Sequence, residues 1–203
     1  MLKNIVFDVG GVLLRKETLQ YVRDNIKYKE DTEIVHNEIF RSVERVQLDR
    51  GTVNKEDAFS RMLSRIPARS RENAKELYEG YIGNRHAVEG MAELLEKLKN
   101  RGYDLYVLSN FSTDFQEVIT RNKLDFFKLF DGIFVSALHH AVKPEREIYA
   151  KFLSEYGLKA EECFFIDDKE ENVEGAINAG MNGFVFRGKA NEVESFIEAL
   201  ANK

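Results

Sequence analysis

An α/β fold, a parallel sheet covered by helices on both faces with a helical insertion after its first strand, is predicted by three features of the sequence. A short apolar run near the start, Ile5-Val6-Phe7, has the β-branched and aromatic character of a strand buried on both faces. Residues 16–84 contain no strand-like run and show helical periodicity instead. From His86 onward, apolar runs alternate with amphipathic helical stretches. That alternation builds parallel strands joined by right-handed crossovers, which bring every strand's carboxyl end to one edge of the sheet.

The first strand, from Asn4, delivers Asp8 into the turn Val9-Gly10-Gly11. Ligands of open α/β sheets bind at that edge, and a carboxylate followed by two residues without Cβ lets an anion or a metal come close. Taken alone, Asp8 could equally cap the next element. Within the insertion, Leu19, Val22 and Ile26 mark one helical stripe, Ile34 to Val46 a second, Ala58 to Leu63 a third and Ala74 to Ile82 a fourth. Breaks fall at Asp49-Arg50-Gly51-Thr52 and at Ile66-Pro67-Ala68-Arg69-Ser70. An insertion there is placed to act as a lid, or is simply additional scaffold.

Val88 to Asn100 predicts a helix ended near Arg101-Gly102, and Tyr103 to Leu108 a buried strand that stops at Ser109-Asn110. A helix from about Thr113 to Asn122 and a strand from Gly132 to Ser136 lead to the loop holding Lys143-Pro144. Glu145 to Tyr156 reads as a helix, with Pro144 before or at its first turn, where a missing N–H is harmless. The strand Cys163 to Ile166 ends in Asp167-Asp168; a helix from about Glu171 closes at Gly180, Gly183 to Phe186 is a fifth strand, and Asn191 to Ala201 a final helix.

Composition narrows the function. Of the 203 residues, 43% are hydrophobic and 32% charged, as in an ordinary soluble protein, and the length suffices for one large domain or a core with an insert. A net charge of −5 gives no basic stripe for nucleic acid or an anionic membrane, so neither is an expected partner. The single cysteine, Cys163, lies in an apolar run and reads as a buried core residue. With no secretory leader and no run of about 20 apolar residues, the cytoplasm is the expected location, with a monomer or weak homodimer as the expected state.

Four polar stations fall at strand ends or in the loops that follow: Asp8, Ser109-Asn110, Lys143 and Asp167-Asp168. Parallel topology makes them converge. Asp8 and Asp168, with Asp167, suit a hard divalent cation, Mg²⁺ above all, since that ion takes one or two carboxylates and keeps water and substrate oxygens. Ser109 and Lys143 offer a hydroxyl and a cation to phosphoryl oxygens. Individually, Lys143 could be a solvated loop cation and Ser109 a helix N-cap.

Phe7-Asp8-Val9-Gly10-Gly11-Val12, Leu108-Ser109-Asn110, Lys143-Pro144 with Ile148-Tyr149, and Phe165-Ile166-Asp167-Asp168 with Asn172 resemble the four ordered motifs of the haloacid dehalogenase superfamily. Leu48-Asp49-Arg50-Gly51 is similar to a segment common in that family's caps. The resemblance covers the whole chain and implies a Rossmann-like core, residues 1–15 and 85–203, with a small α-helical cap, residues 16–84. It implies a nucleophilic Asp8 that forms an aspartyl-phosphate, and Mg²⁺ held by Asp8, the Gly10 backbone carbonyl and Asp168, with Asp167 beside them. Ser109 and Lys143 match phosphate-binding positions; Asn110 and Asn172 match supporting ones, with Asn110 and Gly11 also expected next to the phosphate. The implied substrate is a small phosphorylated metabolite.

One position departs from the pattern. Most phosphatases of the family carry an Asp two residues after the nucleophile as general acid and base, and here Gly10 stands there. General acid–base catalysis is worth about 10²–10⁴ in rate, so the loss bears on activity. Three readings follow: a phosphatase for a substrate with a good leaving group, such as an anomeric sugar phosphate, as in a bacterial subgroup that shares the glycine; a 2-haloacid dehalogenase; or a non-catalytic phosphate-binding module. The Asp167-Asp168 pair favours a metal over the dehalogenase, and an intact Asp8 favours an enzyme over a binder. Arg15 and Lys16 are candidates to meet substrate, and His36, His86, His139 and His140 are candidates to replace the missing acid.

Overall fold

A computed structural model describes residues 2–201. β1 (Asn4–Phe7) is followed by five helices, α1 (Thr18–Asn25), α2 (Thr32–Phe40), α3 (Val43–Arg50), α4 (Lys55–Ser64) and α5 (Arg71–Ile82). The chain then runs through α6 (Met91–Asn100), β2 (Asp104–Ser109), α7 (Phe115–Arg121), β3 (Gly132–Val135) and a short α8 (Ser136–His139). It ends with α9 (Arg146–Glu155), β4 (Cys163–Asp167), α10 (Glu170–Asn178), β5 (Asn182–Val185) and α11 (Ala190–Ala201). The five strands form one parallel sheet in the order β3-β2-β1-β4-β5, a doubly wound α/β architecture of Rossmann type with a helical insert after its first strand.

Strand pleating sorts the apolar residues into two cores. Ile5, Phe7, Leu105, Val107, Phe164 and Ile166 face one side, where they join Leu94, Leu98 and Ile197 of α6 and α11. Val6, Tyr106, Leu108, Phe134, Cys163 and Phe165 face the other, against Ile148, Tyr149 and Phe152 of α9 and Ala176 of α10. Cys163 is fully buried, as its apolar setting implied.

The insert departs from the sequence reading at one place. The single stripe expected over Ile34 to Val46 is two helices, broken where Arg41 and Ser42 leave helical geometry. The buried apolar residues of the two helices are Val35, Ile39 and Leu48, while Ile34 and Val46 are exposed. The break lets α3 turn its start toward α4, where Arg65 grips Glu44 with two hydrogen bonds, 3.0 and 2.5 Å. It also aims the end of α3 at the sheet domain.

There α3 meets α8, an element the sequence reading took for loop. Gly51 has φ +71°, and a Cβ on it would lie 2.1 Å from the Ala137 carbonyl oxygen. The Ser136 hydroxyl donates to the Asp49 carbonyl, and Arg50 donates to Glu145 at 2.8 Å. Backbone, hydroxyl and ion pair together fasten the 49–51 loop to the sheet domain. Gly51→Ala therefore meets both a left-handed backbone and a backbone oxygen, and should cost about 1–3 kcal/mol. A urea unfolding midpoint equal to that of the wild type would show that the loop is not seated in this way.

Candidate active site

Register places the four stations together. Phe7 pairs with Val107 and with Ile166, so Asp8 emerges one step beyond, between β2 and β4, with its N–H donating to the Ile166 carbonyl at 2.9 Å. Ser109 closes β2 and Asp167 closes β4. Lys143 arrives from the loop after α8 and is buried at the same edge.

Lys143 is the hub. Its ammonium donates to Asp8 Oδ1 at 2.8 Å, to Asp167 Oδ2 at 2.6 Å and to the Leu108 carbonyl at 2.8 Å, so all three protons are used. Burial opposes its charge, but the two carboxylates outweigh that and raise its pKa above the usual lysine value. Burial likewise pushes the Asp8 carboxyl up; the Lys143 ammonium, with Lys16 and the Ser109 hydroxyl, outweighs it and holds Asp8 below the usual range. Asp167 moves the other way, raised by burial and by the neighbouring Asp8 more than Lys143 lowers it.

Asp8 is held asymmetrically. Ser109 Oγ and Lys143 Nζ both donate to Oδ1, each at 2.8 Å, and no described residue donates to Oδ2. Asp167 is saturated: Oδ1 accepts from the Lys169 N–H at 2.9 Å and from Asn172 at 3.0 Å, and Oδ2 from Asn172 at 3.0 Å as well as from Lys143. Asn172 is itself held through its carbonyl by the Tyr149 hydroxyl at 2.6 Å. Asn110, at the base of the cavity, bonds the Lys143 backbone with its side chain in both directions, at 2.8 and 2.9 Å, and so supports the loop that carries the lysine.

The residues fit a divalent cation. Asp8, Asp167 and Asp168 present carboxylate oxygens within 4.8 Å of one another. Three carboxylates against the one Lys143 ammonium leave two negative charges, which a dication matches. Asp168 Oδ1 is buried with no protein partner, so the site holds an unused ligand atom. Gly11, at φ +94°, makes room for it, because a Cβ there would lie 2.6 Å from Asp168 Oδ2. Gly11 thus lets the Asp168 carboxylate approach the turn that carries Asp8.

Above this floor opens a cavity of about 800 Å³ whose roof is the helical insert. Asp8, Gly10, Asn110, Lys143 and Asp168 line its base. Lys16 lies at its wall, as anticipated, whereas Arg15 does not line it. Of the four histidines only His36 does; His139 stacks on Phe134 at 3.6 Å, His140 approaches the Arg50 carbonyl, and His86 approaches Asn84. The sequence reading missed Asp49, Arg45, Tyr78, Tyr81 and Arg85, all cavity residues. Asp49 pairs through Oδ1 with Arg45, and burial, opposed by Arg45, raises its carboxyl pKa above the usual range. Its signal was its place in the Leu48-to-Gly51 segment, which marks a break without saying what the break faces.

A profile of the haloacid dehalogenase-like hydrolases matches residues 2–180. A sesquiterpene phosphatase of Aspergillus oryzae is 32% identical over 182 residues, which cover 89% of this chain and 88% of that protein. Among solved structures, a haloacid dehalogenase family enzyme of Bacteroides thetaiotaomicron in complex with magnesium and inorganic phosphate has a TM-score of 0.72 at 20% identity, covering 93% of this chain and 96% of that one. The L-2-haloacid dehalogenase of Xanthobacter autotrophicus has a TM-score of 0.65 at 16% identity, covering 90% and 76%. At those identities the two structures share the fold. Among the described residues, no helix is long and apolar enough to cross a membrane.

Lys143→Met leaves Asp8 and Asp167 buried without their cation and should cost about 3–5 kcal/mol at pH 7. Without Lys143, burial raises both carboxyls, so the ionised pair is what destabilises the fold; lowering the pH to 5 lets one take up a proton and should restore part of the difference from wild type. Urea midpoints of both proteins at the two pH values test this, and an equal deficit at each would contradict it.

Proposed function

The chain belongs to the haloacid dehalogenase-like hydrolase family, and on that premise we propose that it is a Mg²⁺-dependent phosphatase hydrolysing a small phosphorylated metabolite, sugar phosphates included, through an aspartyl-phosphate on Asp8. The observation that carries this reading is the asymmetry of Asp8: Oδ1 is taken by Ser109 and Lys143, while Oδ2 has no protein partner among the described residues. A relative named as a phosphatase, similar over most of both chains, favours phosphoryl over carbon–halogen chemistry.

In this mechanism Asp8 Oδ2 attacks phosphorus and the bond to the leaving oxygen breaks. Asp8 needs no deprotonation at neutral pH, because Lys143 and Ser109 keep it ionised. The same two groups fix its rotamer so that attack proceeds from a set direction. Asp8, Asp168 and the Gly10 carbonyl would hold Mg²⁺, which supplies neutralisation of charge on the phosphoryl oxygens. Asp167 holds Lys143 in place and adds its charge beside the ion. Residues 16–84 act as a cap over the core formed by residues 1–15 and 85–203, and the cap supplies the walls that choose the leaving group.

Asp49 takes the part Gly10 cannot. Its carboxyl lines the cavity above Asp8 and is assigned the proton donated to the leaving oxygen, burial raising its pKa against the opposing Arg45. It then accepts one from the water that attacks the aspartyl-phosphate, releasing inorganic phosphate and regenerating the Asp8 carboxylate.

Hydrolysis of p-nitrophenyl phosphate and of a sugar-phosphate panel, with Mg²⁺ or with chelator, should fall to background in chelator and in Asp8→Asn. Halide release from a 2-haloacid in chelator, with no phosphate release, would replace the phosphatase by a dehalogenase. Asp49→Asn should lower kcat for alkyl phosphates by about 10²-fold and leave the aryl ester, which needs little protonation, nearly unchanged. A Cβ added at Gly10 would meet nothing closer than Lys16 Cδ at 3.6 Å, so Gly10→Asp starts without a clash at the Cβ. That variant should regain alkyl ester hydrolysis in the Asp49→Asn background; failure of both expectations would remove Asp49 from the proton transfers.

A further inference from the structure

Six buried side-chain atoms among the described residues lack a protein hydrogen-bond partner, and five belong to residues lining the one cavity above Asp8. Asp168 Oδ1 is accounted for by the cation site. The others are His36 Nδ1, Ser42 Oγ, Tyr81 Oη and Arg85 Nε, all on the insert or at its return to the sheet domain. Polar atoms buried without partners are uncommon and costly, and their concentration on one wall marks a surface shaped for a polar ligand.

Arg85 stands out among them. It is only 8% exposed, its guanidinium lies 4.5 Å from the centre of the Tyr81 ring, and Nη2 donates to the Arg15 carbonyl at 3.1 Å. No carboxylate among the described residues pairs with it. Of the acids lining the cavity, Asp49 is held by Arg45, Asp114 by Tyr78 and Lys55, and Glu17 is exposed. Burial and the nearby Arg45 charge, opposed only by Tyr81, disfavour the guanidinium's charge. Buried arginines ordinarily answer a carboxylate or a phosphate, whose geometry their planar fork matches. The Tyr81 hydroxyl, buried beside it and unpartnered, can donate to the same anion.

We propose that Arg85 and the Tyr81 hydroxyl form a second anion subsite in the cavity, and that the substrate is a phosphate monoester carrying a carboxylate or a second phosphate remote from the scissile group. The reacting end of this substrate rests on the phosphatase reading; the subsite rests on the unpaired arginine and the orphaned hydroxyl. His36, whose imidazole pKa is lowered chiefly by burial, and Ser42 add polar contacts on the same wall.

The test uses phosphate esters of ω-hydroxy carboxylic acids of two to six carbons, and α,ω-bisphosphates of the same lengths, each compared with the plain alkyl phosphate. At one chain length the wild type should prefer an anionic ester by about 10- to 100-fold in kcat/KM, and whether the carboxylate or the bisphosphate series shows it identifies the anion. That ratio should collapse toward unity in Arg85→Gln and shrink in Tyr81→Phe, whatever each variant does to the alkyl ester's own rate. Calorimetric binding of the same esters in chelator, where no turnover is needed, should show the same preference and its loss. Turnover without preference at any length, or a variant that weakens all esters equally, would overturn the subsite and leave the phosphatase; binding preference without turnover would do the reverse.

Discussion

The burial of Lys143 between Asp8 and Asp167 is the constraint on which the site depends. A lysine at 1% side-chain exposure is tolerable only if every proton has a partner, and here two carboxylates and a carbonyl supply them. Each partner is then held by something further out: Asp167 by Asn172, Asn172 by Tyr149, and the lysine's own backbone by Asn110. Such a connected network holds Asp8 through Oδ1 and leaves Oδ2 without a donor among the described residues.

The same network leaves a surplus of negative charge. Asp168, with its buried unpartnered oxygen, adds to it, and Gly11 exists to let that carboxylate close in. A dication is the partner this surplus can take, and the three carboxylates are grouped closely enough to meet it. The floor of the cavity is thus a connected polar network with an excess of negative charge.

The roof is built by different means. Helices α1–α5 pack mainly on one another and touch the sheet domain through the fastened 49–51 loop, through Tyr78 and Lys55 reaching Asp114, and through the segment around Arg85. Cations and aromatic rings dominate this roof, with orphaned polar atoms among them.

The floor was legible in the chain because parallel topology does the assembling: once Ile5-Val6-Phe7, Leu105 to Leu108 and Phe164 to Ile166 are strands, Asp8, Ser109 and Asp167 must share an edge, and Lys143 needs only a loop to reach it. Even there, local pattern gave residues without partners: it does not say that the Asn110 amide clamps the Lys143 backbone, or that Asp167, grouped with Asp8 and Asp168, also accepts from Lys143 and Asn172. The roof was not legible. Its residues come from helices whose mutual angles follow from side-chain packing and from one break at Arg41-Ser42, and helical periodicity says which face is apolar but not what that face meets. By itself, then, the sequence determined the fold class and the edge at which Asp8, Ser109 and Asp167 meet, because buried parallel strands are legible in short apolar runs and parallel topology brings their carboxyl ends together. Only the tertiary structure decided which charges go unpaired around the cavity, because an unpaired Arg85 is a fact about everything packed against it and leaves no mark in the order of residues.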